Sequence, residues 1–492
     1  MPGKLLARRR IDLGKVIPRA ALNAALEAGI QKYINIPEVA YLAVNVVSFS
    51  TPKSLDLAKL LQMVLGHPAN PLSSRGTIFE AEDIHHYIAF LIQKLFAAGK
   101  TSLCNVATLD GVMMLYRGTD HPIDRILLGA MQHTEGKLGR SCAGRVSSWS
   151  VLESTDKPLI SRVRGRLEVS INSKILARSV FHTVDDIPQF KLESLDGYLN
   201  AVRDCMVPMG KAYDPMFLLP ALTFCLVSDS HLLEAQAAVE RHCISYALAT
   251  LSSSSKTVRQ MSTAFLSAAA SKLEDSTYRG KTQLTHLLLS VLASLSSSQP
   301  DDPLPTATSI FLAQAAMVLS NPTHFLFEKI MDLLLGHPLL QLHDLPLMLS
   351  PLQVGDEHHH KEIAWLLNIL TAGLKTYQDL LLYRKRSVFG NVLALYTSAN
   401  TTDRARDKIL ELLWNAAAVE GGATTLLTRN GVVAWIEQQL GTSSQEEVDL
   451  ALKRLAARLW EASAKAHVTE WSRGNLAAHY VGAKALLGVE AL

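Results

Sequence analysis

The stretch from Trp365 to Trp435 decides the fold of this chain, and its two ends read WLLNILTAGL (365–374) and GGATTLLTRNGVVAW (421–435). Apolar residues recur in it at three- and four-residue spacing, as they do on the buried face of an amphipathic helix. Glycines flank the apolar runs, at places where helices end and the chain turns. The stretch has the features of helix faces, caps and turns, and none of a catalytic site. We therefore expect the function to depend on what the surface binds.

The composition of the 492 residues favours a large helical protein. Hydrophobic residues make up 48% of the chain and charged residues 19%, which allows an extensive buried core. Aromatic residues reach only 6%, and the abundance of Leu and Ala is typical of helices. The formal net charge of +3 is too small to indicate nucleic-acid binding by itself, although it permits a local basic surface.

The cysteines and the N-terminus bear on the cellular compartment. The five cysteines are widely spaced and form no Cys-x-x-Cys pair, so a reducing compartment is expected rather than a disulfide framework or a zinc ribbon. The longest mostly apolar run, Met216–Val227, is too short to span a bilayer. The N-terminus MPGKLLARRR lacks the apolar region of a secretory signal, and its basic character fits either a mitochondrial presequence or a basic patch.

Regular apolar spacing predicts a series of helices from Tyr213 onward. Asp214 and Pro215 begin the series, because a carboxylate caps free amides and proline fits the first helical turn. The pattern then predicts helices over Leu232–Leu251, Lys256–Leu273, Thr282–Leu295, Thr306–Leu319, Phe325–Leu335, Lys361–Ala372, Val388–Tyr396, Asp403–Ala418, Val432–Leu440 and Gln445–Ala462. Paired helices with short connections are typical of solenoids, so we expect an all-α fold, an irregular helical-repeat (HEAT/armadillo-like) α-solenoid.

Three parts are expected along the chain. Residues 1–135 form an N-terminal helical segment, residues 136–190 an irregular Ser/Gly/Arg-rich connector, and residues 191–492 a C-terminal helical-repeat domain. Short strands are expected within the connector, near Leu167–Ile171. Within the C-terminal domain, the helical positions of Trp365 and Trp435 place both side chains in the core between helices.

No motif in the sequence indicates catalysis. The Gly99–Thr101 segment resembles the end of a phosphate-binding loop, but the required glycine is missing and a helix precedes it. Cys142 has no identifiable histidine partner. Successive helical residues point about 100° apart, so the histidines of Asp356–His360 cannot share one tetrahedral ion. We expect no catalytic residue, no cofactor and no metal.

Three clusters of basic residues are the candidate sites for RNA or another partner, since phosphate binding requires such charges. A run of charges is more often a solvated face, so each cluster also has this simpler interpretation. The candidates are Arg8, Arg9 and Arg10; Arg162, Arg164 and Arg166; and Arg384, Lys385 and Arg386.

An ordered set of segments resembles the C-terminal region of the nucleolar pre-ribosomal-associated protein 1 family. The segments are Tyr213–Pro220 (YDPMFLLP), His343–Pro346 (HDLP), Trp365–Leu367, Gly373–Leu374 and Gly421–Trp435. The resemblance extends over roughly Tyr213 to Leu440. A weaker resemblance covers Leu115–Glu153, through Tyr116, Asp120 and the Asp124-Arg-Ile-Leu segment.

The resemblance implies a nucleolar, and hence nuclear, non-catalytic factor. Such a factor acts in early pre-60S particles, in large ribosomal subunit assembly and pre-rRNA processing. Its implied partners are pre-ribosomal RNA and pre-60S assembly factors, including a sister helical scaffold and a DEAD-box helicase, with no membrane and no small-molecule substrate. Family members are usually several times longer, so the chain is expected to be a fragment, a truncated form or a split form.

Two other classes of function compete with this scaffold. A generic helical-repeat adaptor that binds proteins without RNA has the same sequence features apart from the role of the basic clusters. An all-α enzyme would need a convergent acid, base or metal set, and the sequence offers none.

Overall fold

The computed structural model describes helices over most of the chain, in two compact units. Unit 1 is drawn from Met1–Ala247 and Ser253–Tyr278, and unit 2 from Leu248–Ser252 and Arg279–Leu492. The residues described are 17–50, 53, 55–73, 83–139, 160–163, 166–169, 171, 173–181, 194–203, 212–227, 233–297, 302–337, 340–345, 359–399, 401–442 and 446–476.

Unit 1 consists of helices and a short antiparallel hairpin. Its elements are α1 (Arg19–Tyr33), α2 (Pro37–Ser48), α3 (Leu57–Leu65), α4 (Asp83–Gly99), α5 (Val106–Leu115), α6 (Pro122–Leu138), β1 (Ile160–Val163), β2 (Arg166–Val169), α7 (Ser173–Ser179), α8 (Leu195–Arg203), α9 (Pro215–Val227), α10 (Ala235–Glu240), the first part of α11 (Cys243–Ala249) and α12 (Lys256–Glu274). Helix α4 packs on α2 and on α6, and α9 packs on α12. The hairpin lies close to the strands expected from the sequence.

The segments that precede α6 and α9 are joined by backbone hydrogen bonds. Thr119 and Tyr213 form an isolated antiparallel bridge, and the amide of Asp214 donates to the carbonyl of Gly118 at 2.8 Å. The Asp214 carboxylate then accepts from the amide of Met216 at 2.9 Å, which satisfies a free amide in the first turn of α9. The predicted start of this helix is confirmed.

All the described secondary-structure elements of unit 2 are helices. Its helices are the end of α11, α13 (Lys281–Ser297), α14 (Thr306–Leu319), α15 (Phe327–Gly336), α16 (His359–Gly373), α17 (Tyr377–Lys385), α18 (Val388–Thr397), α19 (Asp403–Ala418), α20 (Gly422–Arg429), α21 (Val432–Thr442), α22 (Glu446–Ala462) and α23 (Lys465–Trp471).

Four helices of unit 2 pack in succession. Helix α14 packs on α16, α16 on α19, and α19 on α22. Helix α14 is buried along nearly its whole length, which explains why its sequence is apolar on all sides. Helix α19 instead buries one stripe, made of Ile409, Leu412, Leu413 and Ala416. Among the described residues, no helix is both long and apolar enough to cross a membrane.

The all-α fold class is confirmed, and several helix bounds agree with the sequence. Helices α14 and α19 have the predicted limits, and α12 extends one residue further. The single helix predicted over Leu232–Leu251 is wrong, because the chain breaks into α10 and α11 at His242, which has a φ of 62°. Helices α17, α20 and α23 have no counterpart among the predicted helices.

The two tryptophans assigned to the core differ in burial. Trp435 is 9% exposed, and its ring meets Tyr396 edge-on with 4.9 Å between centroids. Trp365 is half-buried and meets Phe311 edge-on at 5.9 Å. The core assignment therefore holds fully for Trp435, whereas Trp365 lies at the margin of the core.

Candidate partner-binding surface

The basic cluster at the end of α17 forms ion pairs within the protein. The Lys385 ammonium lies 2.9 Å from Oδ2 of Asp344. The Arg386 guanidinium binds the same carboxylate with two donors, Nη2 to Oδ2 at 2.7 Å and Nε to Oδ1 at 2.9 Å. Two parallel hydrogen bonds of this kind fix the orientation of the guanidinium relative to the carboxylate and make the ion pair stronger. Lys385 and Arg386 therefore have a structural role, whatever else they bind.

Asp344 is itself held in place by its neighbours. Its carboxylate accepts from the amide of Leu345 at 2.8 Å, and its carbonyl accepts from the hydroxyl of Thr308 at 2.9 Å. Hydrogen bonds, above all from Arg386, hold the pKa of the Asp344 carboxyl well below its usual range. Asp344 thus ties the loop 340–345 to α14 through its backbone carbonyl, and to the turn between α17 and α18 through its charged carboxylate.

Arg384 differs from its two neighbours in the cluster. Its side chain is half-buried and makes no hydrogen bond or ion pair with any residue that the structure describes. No described residue therefore neutralises its charge. The assignment of Arg384, Lys385 and Arg386 to partner binding stays a prediction, and Arg384 is the member best placed to fulfil it.

The other two basic clusters lie wholly or partly beyond the described part of the chain. Arg8, Arg9, Arg10 and Arg164 are outside it. For Arg162 and Arg166 only the backbone is described, in the antiparallel hairpin, where Arg162 pairs with Leu167 and Arg166 with Val163. Their roles in binding stay predictions.

The sequence did not reveal the role of a second well-connected carboxylate of unit 2, that of Asp379. This residue is 1% exposed and closes a capping box with Thr376, whose amide and hydroxyl donate to Oδ2 at 3.0 and 2.8 Å. Its other oxygen accepts from the amide of Thr306 at 2.9 Å, at the first residue of α14. One carboxylate therefore caps the beginnings of two helices. The Thr-x-x-Asp spacing was the available signal.

Two buried cysteines and Gly99 have structural environments rather than catalytic ones. Burial raises the pKa of the Cys225 and Cys243 thiols to about 12, so both are protonated at neutral pH and are poor nucleophiles. Gly99 ends α4, as expected of a helix terminus rather than a phosphate-binding loop. Within the described residues, no three His, Cys, Asp or Glu side chains are grouped to hold a metal. Cys142 and 356–358 lie outside these residues.

Comparison with known proteins identifies a related family. Residues 244–435 match the sequence profile of the family described as nucleolar pre-ribosomal-associated protein 1. The matched part runs from α11 to α21 and includes Asp344, Asp379 and the basic cluster 384–386. It makes up less than half of the chain. No solved structure matches the chain.

Relatives that bear the same name occur in animals and yeast. The human protein is 25% identical over 271 residues, which cover 55% of this chain and 12% of the human protein. The mouse protein is 27% identical over 234 residues, which cover 48% of this chain and 10% of the mouse protein. The protein of Saccharomyces cerevisiae is 21% identical over 489 residues, which cover 85% of this chain and 27% of the yeast protein.

This chain thus spans a small part of the length of each relative. The resemblance inferred from the sequence is confirmed, and residues 244–435 are the part that matches the nucleolar pre-ribosomal-associated protein 1 family.

Proposed function

We propose that this chain is a non-catalytic scaffold in ribosome biogenesis, which acts in early nucleolar pre-60S assembly and pre-rRNA processing through protein and RNA contacts. The match of residues 244–435 to the family is the observation on which the proposal rests. The relatives are named as nucleolar and pre-ribosomal-associated, and the nucleolar and nuclear location predicted for this chain agrees with that name.

The packing of unit 2 supports an extended scaffold. Each of α14, α16, α19 and α22 packs on the next one in the series, which is how helical-repeat proteins build a continuous core. We propose that unit 2 is an irregular HEAT- or armadillo-like solenoid. Such an array offers a long surface, on which several partners bind side by side.

The partners form part of the proposal. They are pre-ribosomal RNA and pre-60S assembly factors, among them a sister helical scaffold and a DEAD-box helicase. Arg384 supports an RNA contact, because its charge is not compensated by any described residue, and a basic side chain of this kind binds phosphate readily.

Sedimentation of nucleolar extracts tests the proposal directly. An epitope-tagged version of the protein should migrate with large-subunit precursors on sucrose gradients, and mild ribonuclease treatment should release part of it. Depletion of the protein should lower the amount of early large-subunit precursor RNA. Normal precursor levels after depletion, with the protein confined to the top of the gradient, would overturn the proposal.

A generic protein-binding adaptor without an RNA role is the alternative. Crosslinking of RNA to protein in cells separates the two, because the scaffold should give adducts at one or more of the three basic clusters. Adducts confined to partner proteins would favour the adaptor.

A further inference from the structure

One exposed tryptophan of unit 2 is covered by an arginine. Trp414 lies on the outer side of α19 and is 38% exposed, whereas Ile409, Leu412 and Leu413 of the same helix are buried. The guanidinium carbon of Arg458, from α22, lies 4.2 Å from the centre of the Trp414 ring. This distance places the planar cation against the face of the indole. The pair is fixed by two helices that pack on each other.

The charge of Arg458 is not compensated within the described part of the chain. Its Nε is buried without a hydrogen-bond partner, and no carboxylate there forms an ion pair with it. Arg454, one turn earlier on α22, is exposed and also has no described partner. On α19, Glu411 lies one turn before Trp414 and is paired with Lys408 at 2.6 Å. A stacked guanidinium, a second free arginine and an exposed indole thus share one surface.

We propose that Trp414, Arg454 and Arg458 form a binding site for single-stranded RNA. This inference rests on the function proposed above and names the surface that contacts the RNA. The indole holds the Arg458 guanidinium flat, so that its outer plane can stack on a base. The terminal nitrogens of Arg458 and the side chain of Arg454 then reach phosphate oxygens on either side of that base.

The geometry favours a nucleic acid over an acidic peptide. A carboxylate binds arginine best through two parallel hydrogen bonds in the guanidinium plane, and one such approach uses Nε together with a terminal nitrogen. In Arg458 the buried Nε is withdrawn from solvent, so this approach is blocked. The face of the guanidinium that is turned away from the indole, in contrast, suits a flat base, and every base has such a face.

The test uses two matched pairs of substitutions in the full chain. Binding of a fluorescein-labelled oligouridylate of about 15 nucleotides, a length within the usual site size of such proteins, is measured by fluorescence anisotropy. Arg458→Lys and Arg454→Lys both keep the positive charge, but only Arg458→Lys removes a planar guanidinium that stacks on Trp414. Trp414→Leu and Trp471→Leu both remove an exposed indole, and only the first removes one that holds an arginine; Trp471 is 53% exposed on α23.

We expect Arg458→Lys and Trp414→Leu each to raise the Kd for the oligonucleotide roughly ten-fold, as loss of one stacked base does. Arg454→Lys and Trp471→Leu should change the Kd less than about two-fold. The positive charge at position 454 remains in the first variant, and the stacked pair of Trp414 and Arg458 remains in both. The salt dependence of the Kd should be the same for Arg458→Lys as for the wild type, because the number of charges is unchanged. Circular dichroism and melting curves establish that each variant is folded.

Three outcomes would overturn the RNA site. All four variants could bind like the wild type, or the two members of each pair could weaken binding equally. A polyglutamate peptide could also displace the oligonucleotide at equal concentration, which would mark the surface as an acidic-peptide site. If the wild type still sediments with precursor particles in any of these cases, the proposed function survives and only the site is lost.

Discussion

Among single residues, Asp379 links two helix beginnings through one buried carboxylate. It is nearly fully buried and accepts hydrogen bonds from Thr306 and Thr376. We predict that Asp379→Ala lowers the free energy of unfolding by about 2–4 kcal/mol, since several buried amides lose their acceptor together. Urea denaturation followed by circular dichroism measures this loss.

The exposed Asp332 of α15 is the matched control for that substitution. No described residue bonds to its side chain, so Asp332→Ala should change the free energy of unfolding by less than about 0.5 kcal/mol. Equal losses for the two variants would show that Asp379 does not cap the two helices as described.

Gly373 permits a very close approach between two helices of unit 2. A Cβ atom at this position would lie 2.5 Å from Cα of Ala307 and 2.9 Å from its nitrogen, which are backbone atoms that cannot move aside easily. We predict that Gly373→Ala destabilises the protein by about 1–3 kcal/mol, as overpacking does.

A methyl group added at Gly390 in α18 would meet nothing within 4 Å, so Gly390→Ala should stabilise the protein by about 0.5–1 kcal/mol. Thermal melts measure both effects. A lower melting temperature for Gly373→Ala and a higher one for Gly390→Ala would support the two predictions, whereas stabilisation by both substitutions would contradict the prediction for Gly373.

At the scale of elements, the pair of Asp344 with Arg386 connects a loop to a helix junction, and it makes stability depend on pH. The Asp344 pKa is lowered chiefly by hydrogen bonds from Arg386. Its stabilising contribution is therefore complete above the unfolded-state pKa of about 3.9, and it is lost as the pH falls further towards the folded-state pKa. We predict that Asp344→Asn lowers the free energy of unfolding by about 1–2 kcal/mol at neutral pH.

The difference between wild type and Asp344→Asn should stay constant from pH 7 to about pH 5 and shrink below about pH 4, where the Asp344 carboxyl of the unfolded chain becomes protonated while that of the folded protein stays ionised. Urea titrations at a series of pH values measure it. A difference that remains constant down to about pH 3 would show that the low pKa of Asp344 is not the cause.

The same junction holds one arginine with a structural ion pair, Arg386, and one without a described partner, Arg384. We predict that Arg386→Gln destabilises the protein by about 1–2 kcal/mol, because Asp344 loses a two-donor partner. Arg384→Gln should leave the free energy of unfolding within about 0.5 kcal/mol of the wild type, since its side chain bonds to no described residue. In crosslinking, only Arg384→Gln should reduce RNA adducts without lowering stability. Equal destabilisation by the two variants would count against this division of roles.

The elements also show what a sequence pattern can predict. The limits of α14 and α19 follow from apolar spacing, because each buries residues at helical intervals. Apolar spacing does not indicate helix α17, since the helix has only nine residues and begins at the local capping box of Thr376 and Asp379. The further bond from the Thr306 amide to Asp379 is a tertiary contact. The ion pair of Asp344 with Arg386 joins residues 42 positions apart, and spacing along the chain does not indicate such a contact. The basic cluster is therefore visible in the sequence, whereas its partial neutralisation is not.

For the whole molecule, stability and surface chemistry belong to different residues of the same helices. Helix α19 buries Ile409 and Leu413 and presents Trp414 outward. The α17–α18 junction pairs Arg386 with Asp344, whereas Arg384 bonds to no residue that the structure describes. The segments that resemble the family, such as His343–Pro346, thus include residues that hold the scaffold together. A scaffold with this division can lose a partner without losing its fold.

Two substitutions in cells distinguish these roles at the level of the particle. Asp379→Ala weakens folding, so we predict a several-fold drop in the amount of the protein, with the remainder still sedimenting with precursor particles. Arg458→Lys leaves the core intact, so its abundance should match the wild type while a larger share moves to the top of a sucrose gradient. Immunoblots of whole extract and of gradient fractions measure both quantities. If Arg458→Lys instead lowered abundance as much as Asp379→Ala does, the Trp414–Arg458 pair would belong to the structural residues, and the surface that meets the particle would have to lie elsewhere.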